Sequence, residues 1–293
     1  MRRACIVALA VMLLPACGLF EEPDRPTNGR AQVEAEGGSG STLRFAVIGD
    51  IGSGFPAQYA VARRMCSWRD ERPFDLVITT GDNIYPDGAS KHFEKKFFTP
   101  MACLLDKGVG FHAVLGNHDV ASLQGRAEIN HPRFGMQGRN YVVRTNGVRF
   151  VMADSNPPVD IGWLTRATRA QSGDRWTIAV FHHPVFSSGS KHGPSPWLQD
   201  LPDLFVRRGV DLVLNGHDHL YMVTKPLEGI RYAVTGGGGA PLYDCVPAWF
   251  ADECSARNHF LYVVTTQERI TVRAIPISGP PFDAFSTRGL AQG

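Results

Sequence analysis

Five short polar motifs in this chain each follow directly on an apolar, strand-like run. When strands alternate with helices, the loops at the carboxyl ends of the strands converge on one edge of the sheet. Motifs that are far apart in sequence are therefore expected to meet, which requires a fold that brings five strand ends together. The five motifs are Gly49-Asp50-Ile51-Gly52, Gly81-Asp82-Asn83-Ile84-Tyr85, Gly116-Asn117-His118-Asp119, His182-His183-Pro184 and Gly216-His217-Asp218-His219.

The apolar pattern predicts an α/β protein with two mixed β-sheets packed face to face and helices outside (an α+β sandwich). An Asn-Gly turn between residues 141–144 and 148–153 predicts a β-hairpin. Strands are also predicted at 43–49, 74–80, 111–115, 176–181, 211–214, 232–235, 260–265 and 270–275. Helices are predicted at 57–70, 93–105, 163–170 and 201–208. The glycine run 236–239 lacks a following Lys-Ser/Thr, so it predicts a tight turn near the site rather than a phosphate-binding loop.

The first 17 residues are predicted to be a signal peptide. Arg2 and Arg3 precede an apolar run at residues 4–14, which is too short to span a membrane. Leu14-Pro15-Ala16-Cys17 resembles the bacterial lipobox, which predicts a lipid anchor on Cys17 and an exported protein, periplasmic or on the cell surface. A Gly at position 18 favours sorting to the outer membrane. The alternative is a plain signal peptide that is cut nearby, with Cys17 incidental.

Residues 18–41 are rich in Glu, Pro, Gly and Ser and predict a flexible tether. Residues 42–293 are predicted to form one catalytic domain, because the five motifs are spread across them and have to converge. The net charge of +2, without a basic stripe, gives no support for nucleic acid as a partner. An even cysteine count in an exported domain suggests disulfides, and Cys245–Cys254 with Cys66–Cys103 is preferred among three possible connectivities.

The motifs supply the carboxylate, amide and imidazole groups that hold two metal ions side by side. Two cations about 3.5–4 Å apart need a shared ligand, because their mutual repulsion would otherwise expel one of them. A carboxylate can bridge, and Asp82 is predicted to do so because it is central in the motif order. The remaining predicted ligands are Asp50, Asn117, His182, His217 and His219.

Tyr85 predicts which metal is present. A free phenol ionises near pH 10 and is a poor ligand while it is neutral. A trivalent cation favours phenolate more strongly than a divalent one does, and the hard phenolate oxygen suits ferric iron. Tyr85 therefore predicts Fe(III) at one of the two positions.

These residues together resemble a purple acid phosphatase, within the calcineurin-like metallophosphoesterase superfamily. Most of that superfamily begins with Asp-x-His and has Asp rather than Tyr in the second motif. Here the first motif is Asp50-Ile51-Gly52 and the second ends in Tyr85, as in the purple acid phosphatases. The similarity covers roughly residues 43–275, with the spacing of the small mammalian-type, tartrate-resistant enzymes. It implies a four-layer fold.

The resemblance also implies roles for individual residues. Ferric iron would be held by Asp50, Asp82, Tyr85 and His219. A divalent partner, which could be iron, zinc or manganese, would be held by Asp82, Asn117, His182 and His217. The family's His-x-Pro pattern selects His182 rather than His183. His118 and His192 would flank the phosphate on the substrate side, with Asp119 orienting His118 by accepting its other N–H.

By this resemblance the chain is an exported phosphatase that hydrolyses phosphate monoesters, with hydroxide held by the metals as nucleophile. One alternative keeps the site and changes the substrate to diesters, nucleotides or a phosphoprotein. Another is a surface lipoprotein that binds a partner and has lost catalysis. The expected partner is a small phosphorylated substrate, with contact to a membrane only through the anchor at Cys17. The sequence leaves the physiological substrate and the oligomeric state open.

Overall fold

A computed structural model describes residues 42–288 of the 293-residue chain. The signal peptide, the anchor at Cys17 and the tether predicted for residues 18–41 lie outside the described residues. Within residues 42–288, none of the helices combines the length and apolarity needed to cross a bilayer.

Thirteen strands in the described part form two sheets. They are β1 (Leu43–Ile48), β2 (Leu76–Thr79), β3 (Gly110–Ala113), β4 (Tyr141–Thr145), β5 (Val148–Met152), β6 (Trp176–Val180), β7 (Leu212–Asn215), β8 (Tyr221–Thr224), β9 (Arg231–Thr235), β10 (Ala251–Ser255), β11 (His259–Thr265), β12 (Ile270–Pro276) and β13 (Asp283–Thr287).

Both sheets are mixed, as predicted. The six-stranded sheet has the order β13-β12-β11-β1-β2-β3, with β1, β2 and β3 parallel. The seven-stranded sheet has the order β10-β8-β9-β7-β6-β5-β4, with β5, β6, β7 and β9 parallel. The parallel strands form one half of the six-stranded sheet and the middle of the seven-stranded sheet, and the loops that follow them carry the five motifs.

The two sheets pack face to face through a shared apolar layer. Side chains alternate along a strand, so Phe45 and Val47 of β1 join this layer while Ala46 and Ile48 face the helices on the other side. The Phe45 ring meets Phe150 of the opposite sheet edge-on, with centroids 5.0 Å apart. Because β1 is buried on both faces, its sequence is a nearly continuous apolar run.

Helices cover the outer faces of both sheets and complete four layers. The outer apolar cluster of the six-stranded sheet includes residues of the first two helices, and that of the seven-stranded sheet includes residues of the last two. The helices are α1 (Pro56–Glu71), α2 (Thr99–Leu105), α3 (Arg126–Ile129), α4 (Ile161–Ala167) and α5 (Leu201–Arg208).

The helix predicted at residues 93–105 is interrupted. A π-helical turn occupies Glu94–Phe98, and α2 begins only at Thr99. Pro100 has no N–H and cannot bond to the carbonyl of Lys96 four residues earlier. The Gln58 side chain of α1 instead donates to that carbonyl, at 2.5 Å. The carbonyl left free at the interruption therefore links the π-helical turn to α1.

Two disulfides have the preferred pairing. Cys66 of α1 bonds to Cys103 of α2, which ties together two helices on the same face of the six-stranded sheet. Cys245 bonds to Cys254 of β10. The predicted pairing is confirmed.

Some elements differ from the predictions. The helix predicted at 163–170 is α4, which begins earlier because Asp160 caps it by accepting from the N–H of Trp163 at 2.8 Å. Strands β8, β10 and β13 were not predicted. Each pairs with a strand distant in sequence or lies at a sheet edge, and its short run carries too weak an alternation to be recognised alone.

Candidate metal centre

All seven predicted ligands lie in loops at the carboxyl ends of parallel strands. Asp50 follows β1, Asp82 and Tyr85 follow β2, and Asn117 follows β3. His182 follows β6, while His217 and His219 follow β7. Both sheets thus contribute to one site. That these residues hold metal ions stays a prediction.

A first donor set is formed by Asp50, Tyr85 and His219. The Tyr85 hydroxyl lies 3.1 Å from Asp50 Oδ1 and 3.0 Å from His219 Nε2. Asp50 Oδ1 and His219 Nε2 are 3.4 Å apart. Asp50 Oδ1, Tyr85 Oη and His219 Nε2 all carry lone pairs, and they converge on one point from the loops after β1, β2 and β7.

A second donor set is formed by Asn117, His182 and His217. The Asn117 Oδ1 atom lies 3.1 Å from His182 Nε2 and 3.0 Å from His217 Nδ1. The two ring nitrogens are themselves 3.2 Å apart. Two imidazole nitrogens and an amide oxygen suit a divalent ion of the zinc, iron or manganese group.

Asp82 reaches both donor sets. One of its oxygens lies within 4.8 Å of ligand atoms of Asp50 and His219, in the first set. Its Oδ1 atom also lies 3.5 Å from His182 Nε2, in the second set. The carboxylate is only 2% exposed, so it is directed into the protein rather than toward water. This is the position that a bridging ligand requires.

Backbone carbonyls orient two of the histidines. His182 Nδ1 lies 2.9 Å from the carbonyl of Thr80, and His219 Nδ1 lies 2.7 Å from the carbonyl of Pro241. A carbonyl can only accept, so in the neutral ring each Nδ1 carries the proton and each Nε2 presents a lone pair to the site. Hydrogen bonding of the other ring nitrogen is typical of metal-ligating histidine.

The site is rich in buried negative charge. Asp50 and Asp82 are 0% and 2% exposed, and within residues 42–288 their ion-pair partners are the histidines His219 and His182, not lysine or arginine. Buried carboxylates require a compensating cation. Burial lowers the pKa of His182, but the carboxylates of Asp82 and Asp50 outweigh it and raise that pKa overall. The donor chemistry therefore fits metal cations.

Two further pKa shifts agree with this reading. Burial and the neighbouring histidines lower the pKa of His217 far below its ordinary value, which keeps its ring neutral and able to bind a metal. Burial and the carboxylates of Asp50 and Asp82 raise the pKa of the Tyr85 phenol well above its ordinary value. Ionisation of Tyr85 therefore requires a strong cation at the phenol oxygen.

The backbone at the site is unusual for non-glycine residues. Asp50, Asp82 and His217 have φ angles of 58°, 51° and 71°, in the left-handed region. Gly116 packs so closely against the loop after β2 that a Cβ at this position would collide with the Asp82 carboxylate. The glycine that precedes Asn117 thus lets the loops after β2 and β3 approach each other.

The two predicted substrate-side histidines lie beside the donor sets. His118 is half-buried, its ring is 4.4 Å from that of Tyr85, and its Nδ1 lies 2.6 Å from the carbonyl of Pro86. His192 is exposed, and its ring lies 4.2 Å from that of His217. One histidine therefore adjoins each donor set.

The predicted contact between Asp119 and His118 is wrong. His118 Nδ1 bonds to Pro86, and Asp119 is directed inward with no exposed surface. Its carboxylate accepts from the backbone N–H groups of Gly116, Asn83 and Ile84 at 2.8–3.1 Å. These donors lie in the two ligand-bearing loops, so Asp119 fixes those loops rather than a substrate-side histidine.

Residues 43–221, more than half of the chain, match the family described as calcineurin-like phosphoesterase. The chain belongs to the calcineurin-like phosphoesterase family. Purple acid phosphatase 3 of Arabidopsis thaliana is 29% identical over 233 residues, 67% of this chain and 63% of that protein. Tartrate-resistant acid phosphatase type 5 of Rattus norvegicus is 26% identical over 240 residues, 68% of this chain and 73% of that protein.

Solved structures agree on the fold. Purple acid phosphatase PPD1 from yellow lupin superposes with a TM-score of 0.74 at 17% identity, over 86% of this chain and 55% of that one. GAP50, described as the anchor in the inner membrane complex of Plasmodium, superposes with a TM-score of 0.72 at 18% identity, over 85% of this chain and 89% of that one. The calcineurin-like phosphoesterase fold is thus the shared feature.

Several residues at this site were not predicted from the sequence. The Tyr243 ring stacks on His219, with centroids 4.3 Å apart, and its hydroxyl accepts from Lys191 at 2.9 Å. His183 was not predicted to be a ligand. Its ring centroid lies 4.5 Å from that of His217, and its Nδ1 is hydrogen-bonded to the Ser155 hydroxyl. No motif marks Tyr243, because its loop reaches the site only through long-range packing.

Proposed function

We propose that this chain hydrolyses phosphate monoesters with a binuclear metal centre. The position of Asp82, within reach of both donor sets, is the observation that carries the proposal. A carboxylate shared by two metals offsets their repulsion and holds them close together. Asp50, Tyr85 and His219 would complete one ligand shell, and Asn117, His182 and His217 the other.

The two shells differ in the metal that they suit. The first contains phenol and carboxylate oxygen, which favour Fe(III), and the second contains two imidazoles, which favour a divalent ion such as Fe, Zn or Mn. Bound there, the pair of metals would supply Lewis-acid stabilisation of phosphoryl oxygens and a lowered pKa for water.

The protein's own contribution is to position the ester and its leaving group. The Pro86 carbonyl fixes the ring of His118, so its Nε2 is the nitrogen left to face a bound substrate. As an imidazolium, His118 would give a proton to the departing ester oxygen. His192, on the side of the second donor set, would hydrogen-bond a phosphoryl oxygen.

Two alternatives remain distinct from this proposal. A phosphodiesterase or nucleotidase would use the same donor sets with a different substrate cleft. A surface protein that binds a partner without turnover is compatible with the fold, since the structural relative GAP50 is described as an anchor. Retention of both donor sets and both substrate-side histidines favours catalysis over binding.

The test is turnover by the purified mature protein, with p-nitrophenyl phosphate compared with bis-p-nitrophenyl phosphate from acidic to neutral pH. We expect preference for the monoester at acidic pH. Diester preference would favour the phosphodiesterase alternative, and no turnover by metal-loaded protein would favour binding.

The variant Asp82→Asn provides both the blank and a prediction about metal content. Loss of the shared charge should release metal and reduce the rate by more than about 100-fold, beyond the loss usual for residues that only support ligands. Metal per chain is measured by plasma mass spectrometry. Asp87→Asn, on the same loop but outside the donor sets, is the matched control. Full metal content in Asp82→Asn would refute the bridging role.

We also propose that the catalytic domain is exported and tethered to a membrane by a lipid on Cys17. The support is the sequence of residues 1–41 alone. Labelling of cells with a radioactive fatty acid should mark the full chain and not Cys17→Ser. Equal labelling of both proteins would contradict lipidation at this residue, and no labelling of either would favour the plain signal peptide.

A further inference from the structure

A second concave site lies on the outer face of the six-stranded sheet. It is an open cavity of about 470 Å³ beside the carboxyl end of α1. Trp68 and Tyr262 line it, together with three arginines from three different elements: Arg44 of β1, Arg72 after α1 and Arg273 of β12. The cluster of these three arginines is here called the arginine pocket.

The sheet register brings two of the arginines together. Arg273 is the cross-strand partner of Tyr262, and Arg44 is the cross-strand partner of Val264, two residues farther along β11. Residues two apart on a strand face the same side, so Arg44, Tyr262 and Arg273 share one face. The two guanidinium groups therefore flank the central strand β11, with the phenol between them.

The third arginine is placed by α1. Arg72 follows the last residue of the helix, and its guanidinium carbon lies 4.4 Å from the centroid of the Trp68 ring. The Trp68 side chain is 4% exposed, and its Nε1 has no hydrogen-bond partner among residues 42–288. The Trp68 ring thus supports the Arg72 guanidinium through a cation–π contact at the cavity wall.

The positive charge of the arginine pocket is largely uncompensated. Within residues 42–288, Arg44 and Arg273 form no ion pair with a carboxylate. Arg72 pairs with its neighbour Glu71 at 2.7 Å, but both side chains are solvent-exposed and such a pair contributes little. Burial raises the pKa of the Tyr262 phenol, and the charges of Arg44, Arg273 and Arg72 oppose that rise.

The arginine pocket is separate from the candidate metal centre. Arg44 lies at the amino end of β1, and Asp50 follows its carboxyl end. A strand rises about 3.3 Å per residue, so the six residue steps from Arg44 to Asp50 place the two sites roughly 20 Å apart. A group bound in the arginine pocket is therefore not the substrate phosphate at the metal centre.

We propose that the arginine pocket binds a phosphate-type oxyanion. The guanidinium fork matches two oxygens of such an anion, and three forks around a cavity suit a group with three or more oxygens. The same chemistry is offered by free phosphate and by the headgroup of an anionic phospholipid. The predicted tether joins the chain immediately before β1, beside the pocket, which is the reason to include a lipid surface in the test.

The test uses the purified mature protein and two probes. Calorimetry gives the number of orthophosphate ions bound per chain, and co-sedimentation compares vesicles of phosphatidylglycerol and phosphatidylcholine with vesicles of phosphatidylcholine alone. The variant is Arg44→Gln/Arg273→Gln. The control is Arg166→Gln/Arg207→Gln, which removes the same charge from two exposed arginines on the helices of the other sheet.

We expect the arginine-pocket variant alone to lose binding by 10-fold or more. A decrease of one orthophosphate ion per chain, with vesicle binding unchanged, would identify free phosphate. Loss of binding to anionic vesicles alone would identify a lipid headgroup. No change with either probe, or an equal loss in the control, would overturn the proposal. Arg44→Lys/Arg273→Lys keeps the charge and should lose binding too, which excludes misfolding as the cause if its circular dichroism is unchanged.

The outcome is independent of the proposed phosphatase activity. If the metal centre also binds orthophosphate, the variant reduces two sites to one, and otherwise it reduces one site to none. Failure of the phosphatase proposal would instead appear as absent turnover with this orthophosphate difference intact.

Discussion

Three of the predicted ligands occupy a backbone conformation that non-glycine residues rarely adopt. The left-handed φ angles of Asp50, Asp82 and His217 cost on the order of 1–3 kcal/mol each. Local hydrogen bonds oppose that cost, since the Asp50 N–H donates to Gly81 and the His217 N–H donates to the Asp50 carboxylate, both at 3.0 Å. The strain is concentrated where side chains must be aimed at one point, which is typical of functional sites.

At the same scale, Tyr85→Phe tests the ferric assignment. Tyr85 Oη is 3.1 Å from Asp50 Oδ1, in the first donor set, and a phenolate on Fe(III) absorbs visible light. The purified wild-type protein should be purple, and Tyr85→Phe should be colourless in an absorption spectrum. Tyr243→Phe is the matched control, because Tyr243 stacks on His219 without entering a donor set.

Two results would contradict the ferric prediction. A colourless, active wild-type protein would mean zinc or manganese at both positions. A purple Tyr85→Phe variant would mean that another residue supplies the phenolate.

His259 predicts part of the pH dependence of stability. It is completely buried, and burial lowers its pKa to about 4 from the ordinary 6.5. As the pH falls, His259 is protonated in the unfolded chain before it is protonated in the folded protein. The free energy of unfolding is therefore unaffected by His259 above about pH 6.5 and decreases as the pH falls from 6.5 toward 4. At pH 5 the loss amounts to about 2 kcal/mol of the free energy of unfolding.

The measurement is urea unfolding at pH 7 and pH 5. His259→Gln cannot titrate, so its stability should fall by about 2 kcal/mol less than that of the wild type between these pH values. His92→Gln, at a partly exposed histidine, is the control. Equal losses in the wild type and His259→Gln would show that the buried imidazole does not carry this effect.

At the scale of structural elements, a buried carboxylate holds the ligand loops in place. Asp119 accepts from three backbone N–H groups of the loops after β2 and β3, and the Asn83 side chain links it to Glu128 at 3.1 Å. Burial and the charge of Asp119 raise the pKa of Glu128 well above its ordinary value, which favours the protonated form of that carboxyl. The positions of Asp82 and Tyr85 therefore depend on the Asp119 carboxylate, which belongs to neither donor set.

Asp119→Asn should loosen both loops, because an amide nitrogen would face donors that need an acceptor. We expect a loss of about 3 kcal/mol in the free energy of unfolding, and metal affinity reduced by about 10- to 100-fold. Urea unfolding and competition with a chelator measure the two effects. Asp160→Asn, at the start of α4, is the control and should leave metal affinity unchanged. Unaltered metal affinity in Asp119→Asn would restrict Asp119 to a structural role.

Elements with a regular local pattern were predictable, and irregular ones were not. The central strands and α1 were predicted to within about two residues, because their apolar runs or helical spacing are local properties. The break at Glu94–Phe98 was not predicted, since the carbonyl that Pro100 leaves free is satisfied by Gln58 from a different helix. Strand β10 likewise depends on its pairing with β8.

At the scale of the whole molecule, the two disulfides should have different effects. Cys66 and Cys103 are 37 residues apart, and Cys245 and Cys254 are 9 apart. Chain entropy predicts stabilisation by about 4 kcal/mol for the longer loop and about 3 kcal/mol for the shorter one. Cys66→Ser/Cys103→Ser should therefore lower the free energy of unfolding more than Cys245→Ser/Cys254→Ser.

Removal of the shorter disulfide, Cys245–Cys254, should affect catalysis more than removal of the longer one. The Cys245 segment pairs with Gly189 and lies close to Tyr243, whereas the longer disulfide joins helices on an outer face. KM for a phosphate ester should rise only in Cys245→Ser/Cys254→Ser. An equal change in KM for both double variants would argue that the loop of Tyr243 is held by packing and not by its disulfide.

The sequence alone determined the type of each donor atom, its place after a strand and the two-sheet fold, because these follow from residue identity and local periodicity. Only the tertiary structure decided how donors group around Asp82, that Asp119 turns inward from His118, and that Arg44 and Arg273 meet across β11. Side-chain direction and strand register depend on contacts between residues far apart in the chain. Such contacts leave no local pattern from which they can be predicted.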